Sequence, residues 1–520
     1  MSTLTDEHPV PSSQSSTKVS PAPLVPAPDF GPTDRLRGWV VTLFLTTVAA
    51  VTRFTMLGYP TDAGTPVFDE KHYAPQGWQV LTGGVWLADN PGYGLVVHPP
   101  VGKQLIAMGE AIFGYNGWGW RFASAVAGTI IVLLVIRIVR RLSRSTLIGG
   151  FAGILIIADG VTFVSSRLGM LDIFLALFAV AAFGCLVVDR DQVRERMARV
   201  HAEGRIHVTE WGPRLGVRWW RFGAGVMLGL ACGTKWSGIY FVAFFGLLCV
   251  AFDVSTRRAY GVRRPWFGTA VRDIGPALYA LVVVPLIVYL GSFWAWFASE
   301  TGVDRHAVGD EIGTGGFWSF LPNALRSLWY YSGNVLEFHS GLTNSAGNHH
   351  PWESKPWTWP MGLRPMLYYF ADGERVSGCG AESCIKAVML VGTPAMWWLA
   401  VPVLAWALWR TLVRRDWRFA AVLVAYGAAF LPWFVTLDRQ MYFFYAVTLA
   451  PFFVMAIALT LGSVLGRTDA SAERRGTGLL VVCLYVGLVV ANFVWLWPIL
   501  TGVPITPETW QNQLWLPSWR

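Results

Sequence analysis

From residue 38 onward, long apolar runs alternate with short clusters of arginine. A helix that crosses a bilayer core needs about 20 predominantly apolar residues. Eleven runs fit that pattern: 38–58, 120–139, 146–165, 170–188, 220–234, 236–252, 274–297, 387–409, 417–437, 441–465 and 477–499. Between alternate runs fall Arg35/Arg37, Arg137/Arg140/Arg141/Arg144, the stretch Arg190 to Arg221, Arg257 to Arg272, Arg410 to Arg418, and Arg467/Arg474/Arg475. With Lys18 these hold 27 of the 41 cations. Basic loops stay cytoplasmic, so the pattern predicts a cytoplasmic N-terminus and an extracytoplasmic C-terminus. Losing or adding one helix would send half of the clusters to the wrong face.

The remaining segments divide by composition. Residues 1–36 are rich in Pro, Ser and Thr and bury too little to offset the entropy of ordering, which predicts a disordered cytoplasmic tail. Residues 37–520 then form one polytopic domain with two long outer segments, 59–119 and 298–386. Long loops of this kind carry function. In the first, Leu105, Ile106, Ile112 and Phe113 share one helical face, which suits a helix lying on the membrane surface or packed on the bundle.

Composition narrows the class further. Charged residues make up 14% of the chain and hydrophobic ones 54%, whereas soluble domains carry about 25% charged residues. Soluble, collagen-like and small disulfide-scaffold classes are therefore excluded. The net charge of +9 resides in the inter-run clusters, so it marks topology and a lipid bilayer partner, and no nucleic acid is expected. Cys185, Cys232, Cys249 and Cys483 stand in or beside apolar runs and read as small buried residues. Cys379 and Cys384 share an outer, oxidising segment and are expected to form a local disulfide.

The densest candidate chemistry is Val67-Phe68-Asp69-Glu70-Lys71-His72-Tyr73, just after the first run. Alone, an Asp-Glu pair is most often a solvated turn. Beside a membrane the two carboxylates are costly to desolvate, which favours general-base or ligand roles. Arg53, the His98 to Lys103 element and Arg121 surround it in sequence. Ser166 to Asp172 and Gly233 to Gly238 fall on the same side and bring Arg167, Asp172 and Lys235. Ionisable groups at membrane depth are rare unless paired or facing a polar cavity. Arg167 with Asp172 reads equally as a structural ion pair, and Lys235 as a snorkelling side chain. In the second outer segment, His349, His350 and Glu353 match no closed zinc pattern, and no metal site is expected. Trp352, Trp357 and Trp359 suit sugar stacking or interface anchoring. Asp438-Arg439 precedes Tyr442 and Tyr445, and Arg439 is suited to gripping a lipid phosphate.

In order and in membrane side these elements resemble the protein O-mannosyltransferases, membrane glycosyltransferases of the C-type fold. The resemblance runs through Phe68-Asp69-Glu70, His98-Pro99-Pro100-Val101-Gly102-Lys103, Arg121, Ser166-Arg167 to Leu171-Asp172, Lys235-Trp236, His350-Pro351-Trp352 to Pro360, and Asp438-Arg439. It implies an all-α integral membrane protein of about eleven spans in the plasma membrane. It also implies inverting transfer of mannose from polyprenyl-phosphate-mannose to Ser or Thr hydroxyls of proteins leaving the secretion translocon. Asp69 is carried over as the catalytic base, with Glu70 beside it. Arg53, His98, Lys103, Arg121, Asp172, Lys235 and Arg439 are donor-binding candidates, and Arg53, Arg121 and Arg439 are alternatively supports for the Asp69 loop. His350, Trp352 and Trp357 are acceptor or sugar contacts. No metal is required, since the leaving phosphate is already a weak base. Two departures stand out. The second outer segment is too short for the β-trefoil of eukaryotic members, as in the actinobacterial branch, and the family's His-Tyr reads Phe444-Tyr445. Competing readings are a C-type transferase for another sugar or a glycolipid acceptor and, in a different class, a polyprenol-linked flippase. A flippase should place its charges near mid-membrane and show paired halves.

Overall fold

The computed structural model describes residues 34–83, 97–373, 376–466 and 469–520. The tail expected over 1–36 lies outside the described residues except for its last three, and Arg35 and Leu36 already belong to the first helix, Arg35–Phe54. Arg467 and residues 84–96 of the first outer segment also lie outside them.

Each of the eleven apolar runs carries a helix. Among the described residues, seven helices are long and apolar enough to cross a membrane: Gly117–Ser143, Asp172–Ala202, Gly238–Ala259, Ile274–Ser292, Pro394–Leu412, Trp417–Phe434 and Ala472–Thr501. Thr146–Ile157, Trp219–Cys232 and Ala450–Leu465 are shorter, and Arg35–Phe54 completes the set.

Several runs are interrupted, and three of the interruptions lie near the site. The run 146–165 stops at Ala158 because the Asp159 carboxylate accepts from the Thr162 N–H at 2.8 Å and its hydroxyl at 2.6 Å. That is an N-cap, and it starts a separate helix, Gly160–Ser165. The run 441–465 opens with a 3₁₀ turn, Phe443–Thr448, ahead of Ala450–Leu465. The run 387–409 gives its first residues to a strand. That strand, β2 (Ile385–Leu390), pairs antiparallel with β1 (Met366–Asp372), with Met366 opposite Leu390 and Asp372 opposite Ile385. The all-α expectation is corrected to this extent: the helical bundle carries a two-stranded sheet. The short stretch from Ile385 to Val391 has a β-branched or apolar character and is bounded by Gly392, and at such length hydropathy does not separate strand from helix. β2 packs so closely on the start of the Gly160–Ser165 helix that a Cβ at Gly160 would lie 2.2 Å from the Val391 carbonyl oxygen.

The first outer segment folds into two helices, Glu70–Gly83 and Val101–Phe113, packed on one another. The face expected to act as a unit is divided: Ile106 is buried and Leu105 half-buried, whereas Ile112 and Phe113 are exposed. In the second, a helix over Asn323–Gly341 precedes the hairpin. Cys379 and Cys384 are disulfide-bonded between β1 and β2. Cys249 is buried and Cys185 and Cys232 are partly so, but Cys483 is exposed on the bundle's outer surface, against expectation. At the other end of the bundle, Arg218 and Arg221 share Asp189 and Asp253, and Arg257 pairs with Asp273. These pairs compensate charges that would be prohibitive to bury singly.

Candidate active site

The site grows out of the chain leaving the first helix. Arg167 donates to the carbonyls of Thr52, Arg53, Thr55 and Met56 at 3.2, 3.0, 2.6 and 3.3 Å. A guanidinium there satisfies carbonyls that a helix C-terminus leaves orphaned and complements its dipole. The Arg167–Asp172 ion pair is therefore not formed; both residues are committed elsewhere. Beyond the turn, Phe68 has a φ of +50°, a left-handed conformation that bulky residues rarely adopt and that marks functional loops.

Immediately after Phe68, Asp69 and Glu70 meet different surroundings. Glu70 is fully buried and meets Arg121 in a two-point ion pair, with both contacts at 2.7 Å. It also accepts from the backbone N–H of Gly169 at 2.7 Å and of Val67 at 3.2 Å. Arg121 also donates to the carbonyls of Leu57 at 3.2 Å and Pro60 at 2.8 Å. Glu70, expected either to orient Asp69 or to grip the peptide, is buried in a tie that supports the orienting reading. Of the two roles weighed for Arg121, this arrangement supports the one that holds the Asp69 loop, since four of its five N–H groups are engaged inside the protein. The pair pins the Asp69 loop to the second span and to the turn at Gly169.

Asp69 is left half-buried, and burial pushes its carboxyl up to about 6; nearby Lys235 opposes that shift and Asp172 adds to it. Lys235 grips both oxygens of Asp172 at 2.9 and 2.8 Å. Aromatic rings close the surroundings. Phe68 lies 4.9 Å from Tyr368 of β1 and 6.2 Å from Phe444. The Lys235 ammonium sits 5.8 Å from Phe444 and 5.7 Å from Tyr445, whose ring stacks on Trp433 at 4.4 Å. Tyr368 is buried near Asp69 and Asp172, which together with burial push its phenol well up.

Beside this cluster opens a cavity of about 360 Å³. Its wall is polar at His98, Asp172, Lys235, His339, Ser340 and Arg439 and apolar at Leu175, Phe241, Ala428 and Ala429, which belong to three spans, and it includes the exposed Ile239 and Tyr240; Asp69 is not among the lining residues. Arg439 donates to the His339 carbonyl at 3.2 Å and contacts His339 Nδ1 at 3.3 Å. Its Nε is buried without a partner. Among the described lining residues it is the cation that no carboxylate neutralises. His339 Nε2 lies 3.2 Å from the Val97 carbonyl, so Nε2 donates and Nδ1 accepts from Arg439. Burial and the adjacent Arg439 push His339 down to about 4, and burial with the neighbouring cations drives His98 well below its ordinary range. Both rings are therefore neutral; they stack at 5.4 Å.

Of the expected donor-binding residues, His98, Asp172, Lys235 and Arg439 line the cavity. Lys103 is buried and donates to the His98 carbonyl at 2.5 Å, so it supports His98 from behind. Arg53 is buried inside the bundle on the carbonyls of Ala49 and Ile156. Neither is among the residues lining the cavity. His350, Trp352 and Trp357 do not line the cavity either. His350 accepts from the Trp352 N–H and meets Tyr442, Trp352 stacks under Arg364, and Trp357 is exposed. His339, which no motif marks, was not anticipated. It lies beside Arg439 at the cavity, where residues 342–345 and 353–354 pair with 438–442, through Asn344 N–H to Asp438 O and Ser354 N–H to Met441 O among others.

Comparison with known proteins fits this geometry. The chain is 65% identical to a polyprenol-phosphate-mannose–protein mannosyltransferase of Mycolicibacterium smegmatis over 98% of each chain. The Mycobacterium tuberculosis protein of that name is 65% identical over 96% of each, and the Corynebacterium glutamicum one 46% identical over 91% of this chain and 92% of its own. The chain belongs to the protein mannosyltransferase family. Family models agree: the one for dolichyl-phosphate-mannose-protein mannosyltransferase matches residues 115–299, and the one for the C-terminal four-span region of protein O-mannosyltransferase matches 324–519. Between them these two regions hold Asp172, Lys235, His339 and Arg439. Among solved structures, the Saccharomyces cerevisiae protein O-mannosyltransferase Pmt1–Pmt2 complex bound to the sugar donor aligns with a TM-score of 0.69 over 95% of each chain. At 16% identity that likeness speaks for the shared fold, the C-type glycosyltransferase architecture. In this mannosyltransferase Phe444 fills the place where the family's His was expected, and its ring stacks on Tyr442 and meets Phe68.

Proposed function

We propose that this chain transfers mannose from polyprenyl-phosphate-mannose to Ser or Thr hydroxyls of secreted or membrane proteins, at the extracytoplasmic face of the plasma membrane and with inversion at the anomeric carbon. The observation that carries the reading is the half-buried Asp69 carboxyl, which feels Lys235 and Asp172 on the wall of a cavity lined by both polar and apolar residues.

The chemistry follows from that layout. A prenyl chain fits against the apolar part of that wall, and its phosphate then meets Arg439, whose charge no carboxylate among the described lining residues neutralises. Asp69, ionised above about pH 6, accepts the acceptor hydroxyl's proton as its oxygen bonds to the anomeric carbon. The bond from that carbon to the phosphate oxygen breaks, and the polyprenyl phosphate leaves with the electron pair. A positioned base contributes about 10²–10⁴-fold, and preorganised positive charge at the departing phosphate contributes further. Lys235, already bound to Asp172, holds the electrostatic setting of Asp69 while Arg439 serves the phosphate. Because the reacting hydroxyl must reach a half-buried carboxylate, the acceptor is an extended segment, as supplied by a translocon. No metal is required in this scheme.

Asp69→Asn should abolish mannose transfer from the lipid donor to a Thr-containing peptide while the purified protein keeps its elution profile and thermal transition; the parent should remain active in strong chelator. Turnover retained by Asp69→Asn would refute the base assignment.

A further inference from the structure

Between Glu311 and Arg326 the second outer segment contains no charged residue. Its tip is aromatic and bare: Phe317 is 82% exposed, Trp318 59% and Phe320 69%. A segment destined for water does not usually expose three contiguous large apolar side chains. Its backbone is also prepared for a poor solvent. The Arg326 guanidinium donates to the carbonyls of Gly313, Thr314 and Gly315 at 2.8, 2.8 and 3.1 Å, groups that would be costly to leave unpaired away from water.

The helix that follows, Asn323–Gly341, has three faces. Leu328, Tyr331 and Val335 are buried against Phe293 and Trp296 at the end of the Ile274–Ser292 span. Arg326, Tyr330 and Glu337 form a polar face. Leu325 and Trp329, at positions i and i+4, are exposed apolar residues that no described part of the chain covers, with Trp329 83% exposed, and Leu336 on the same stripe borders the cavity described above. The stripe adjoins the face clamped to the span, and the span's own exposed residues, Leu278, Val282, Leu286 and Ile287, continue into the exposed Trp294. The bare stripe and the aromatic tip thus prolong the lipid-facing surface of a membrane-crossing helix. A helix with buried, polar and exposed apolar faces in that order is built to lie in an interface plane.

We propose that residues 312–336 form a membrane-contact element, with Phe317, Trp318 and Phe320 inserted among the lipid chains of the outer leaflet and Trp329 at headgroup depth. The occupant of this face is a lipid surface. The inference stands on the distribution of side chains alone and does not depend on the reaction assigned above.

The test uses full-length protein in phosphatidylcholine–phosphatidylglycerol vesicles, with the four unpaired cysteines replaced and an environment-sensitive fluorophore placed on Phe317→Cys, Trp329→Cys or, as a control, the exposed Gln511→Cys. Probes at 317 and 329 should emit to the blue of the control, be quenched by nitroxide on lipid acyl chains, and lose quenching by aqueous iodide. Iodide quenching equal to the control would overturn the proposal, as would a blue shift that appears only at high protein-to-lipid ratio, which would assign the face to a second copy. The unmodified chain provides an independent reading: a phosphatidylcholine with a photoreactive acyl chain should label the peptide covering 312–326, and labelling confined to the spans would refute lipid contact.

Discussion

Removing Arg121 is the most direct way to separate positioning from chemistry in this site. Arg121→Ala leaves Glu70 fully buried with only the N–H groups of Val67 and Gly169 as partners, and strips the carbonyls of Leu57 and Pro60 of theirs. Breaking a buried ion pair from one side costs about 3–5 kcal/mol, and each orphaned carbonyl adds roughly 1 kcal/mol. Since about 1.4 kcal/mol is a factor of ten, the ion-pair term alone lowers the ratio of native to displaced loop by roughly 10²–10⁴-fold. Asp69 is the residue preceding Glu70, and displacing a reacting group by about 1 Å can cost on the order of 10²-fold in rate. The variant should therefore show a thermal transition several degrees lower by intrinsic fluorescence in detergent, together with a fall in kcat. Arg121→Lys should not restore either, because an ammonium cannot make the paired contacts or reach both carbonyls. Glu70→Gln/Arg121→Met, which removes both charges, should be less damaged than the sum of its single changes. An Arg121→Ala protein with the parent's transition and turnover would refute the positioning role.

Two further outcomes follow from titration. If Asp69 is the base, kcat against pH should rise through about 6, the level to which burial raises its carboxyl. Lys235→Met should move that limb to higher pH, because a cation that favours the carboxylate is lost; a limb that stays put would exclude Asp69 as its source. Glu110 is buried with neither oxygen hydrogen-bonded, and burial pushes it up to about 8. The folded state thus keeps a proton that the unfolded chain releases near its ordinary 4.5, so stability should be greatest at low pH and fall by a few kcal/mol between about 4.5 and about 8, at about 1.4 kcal/mol per unit before solvent relaxation. Glu110→Gln should flatten that slope in denaturation measured across the same pH range, and a slope unchanged by the substitution would show that another group causes it.

Much of the architecture was legible because hydropathy reports burial in lipid or bundle directly, and every apolar run does contain a helix. Where runs broke, the cause was a single side chain or a backbone pairing that averaging hides, as with the Asp159 cap or the β2 ladder. In the site, residue type pointed to the loop after the first helix but could not divide the work between neighbours. Asp69 and Glu70 are adjacent in sequence yet face different surroundings, Glu70 in a buried ion pair with Arg121 and Asp69 near Lys235 and Asp172. Asp172 lies five residues from Arg167, yet its partner is Lys235, 63 positions away. His339 carries no motif at all, and the pairing of two distant loops is what brings it to Arg439.

Among the described residues lining the cavity, Arg439 is the cation that no carboxylate neutralises, and this bears on how a catalytic cycle would end. A sugar-linked prenyl phosphate is a diester with one negative charge, whereas the released prenyl phosphate is a monoester that can carry two. Coulomb attraction scales with that charge, so the spent carrier would be gripped more firmly than the fresh one, and clearing the groove, more than glycosyl migration itself, would set the pace of repeated turnover.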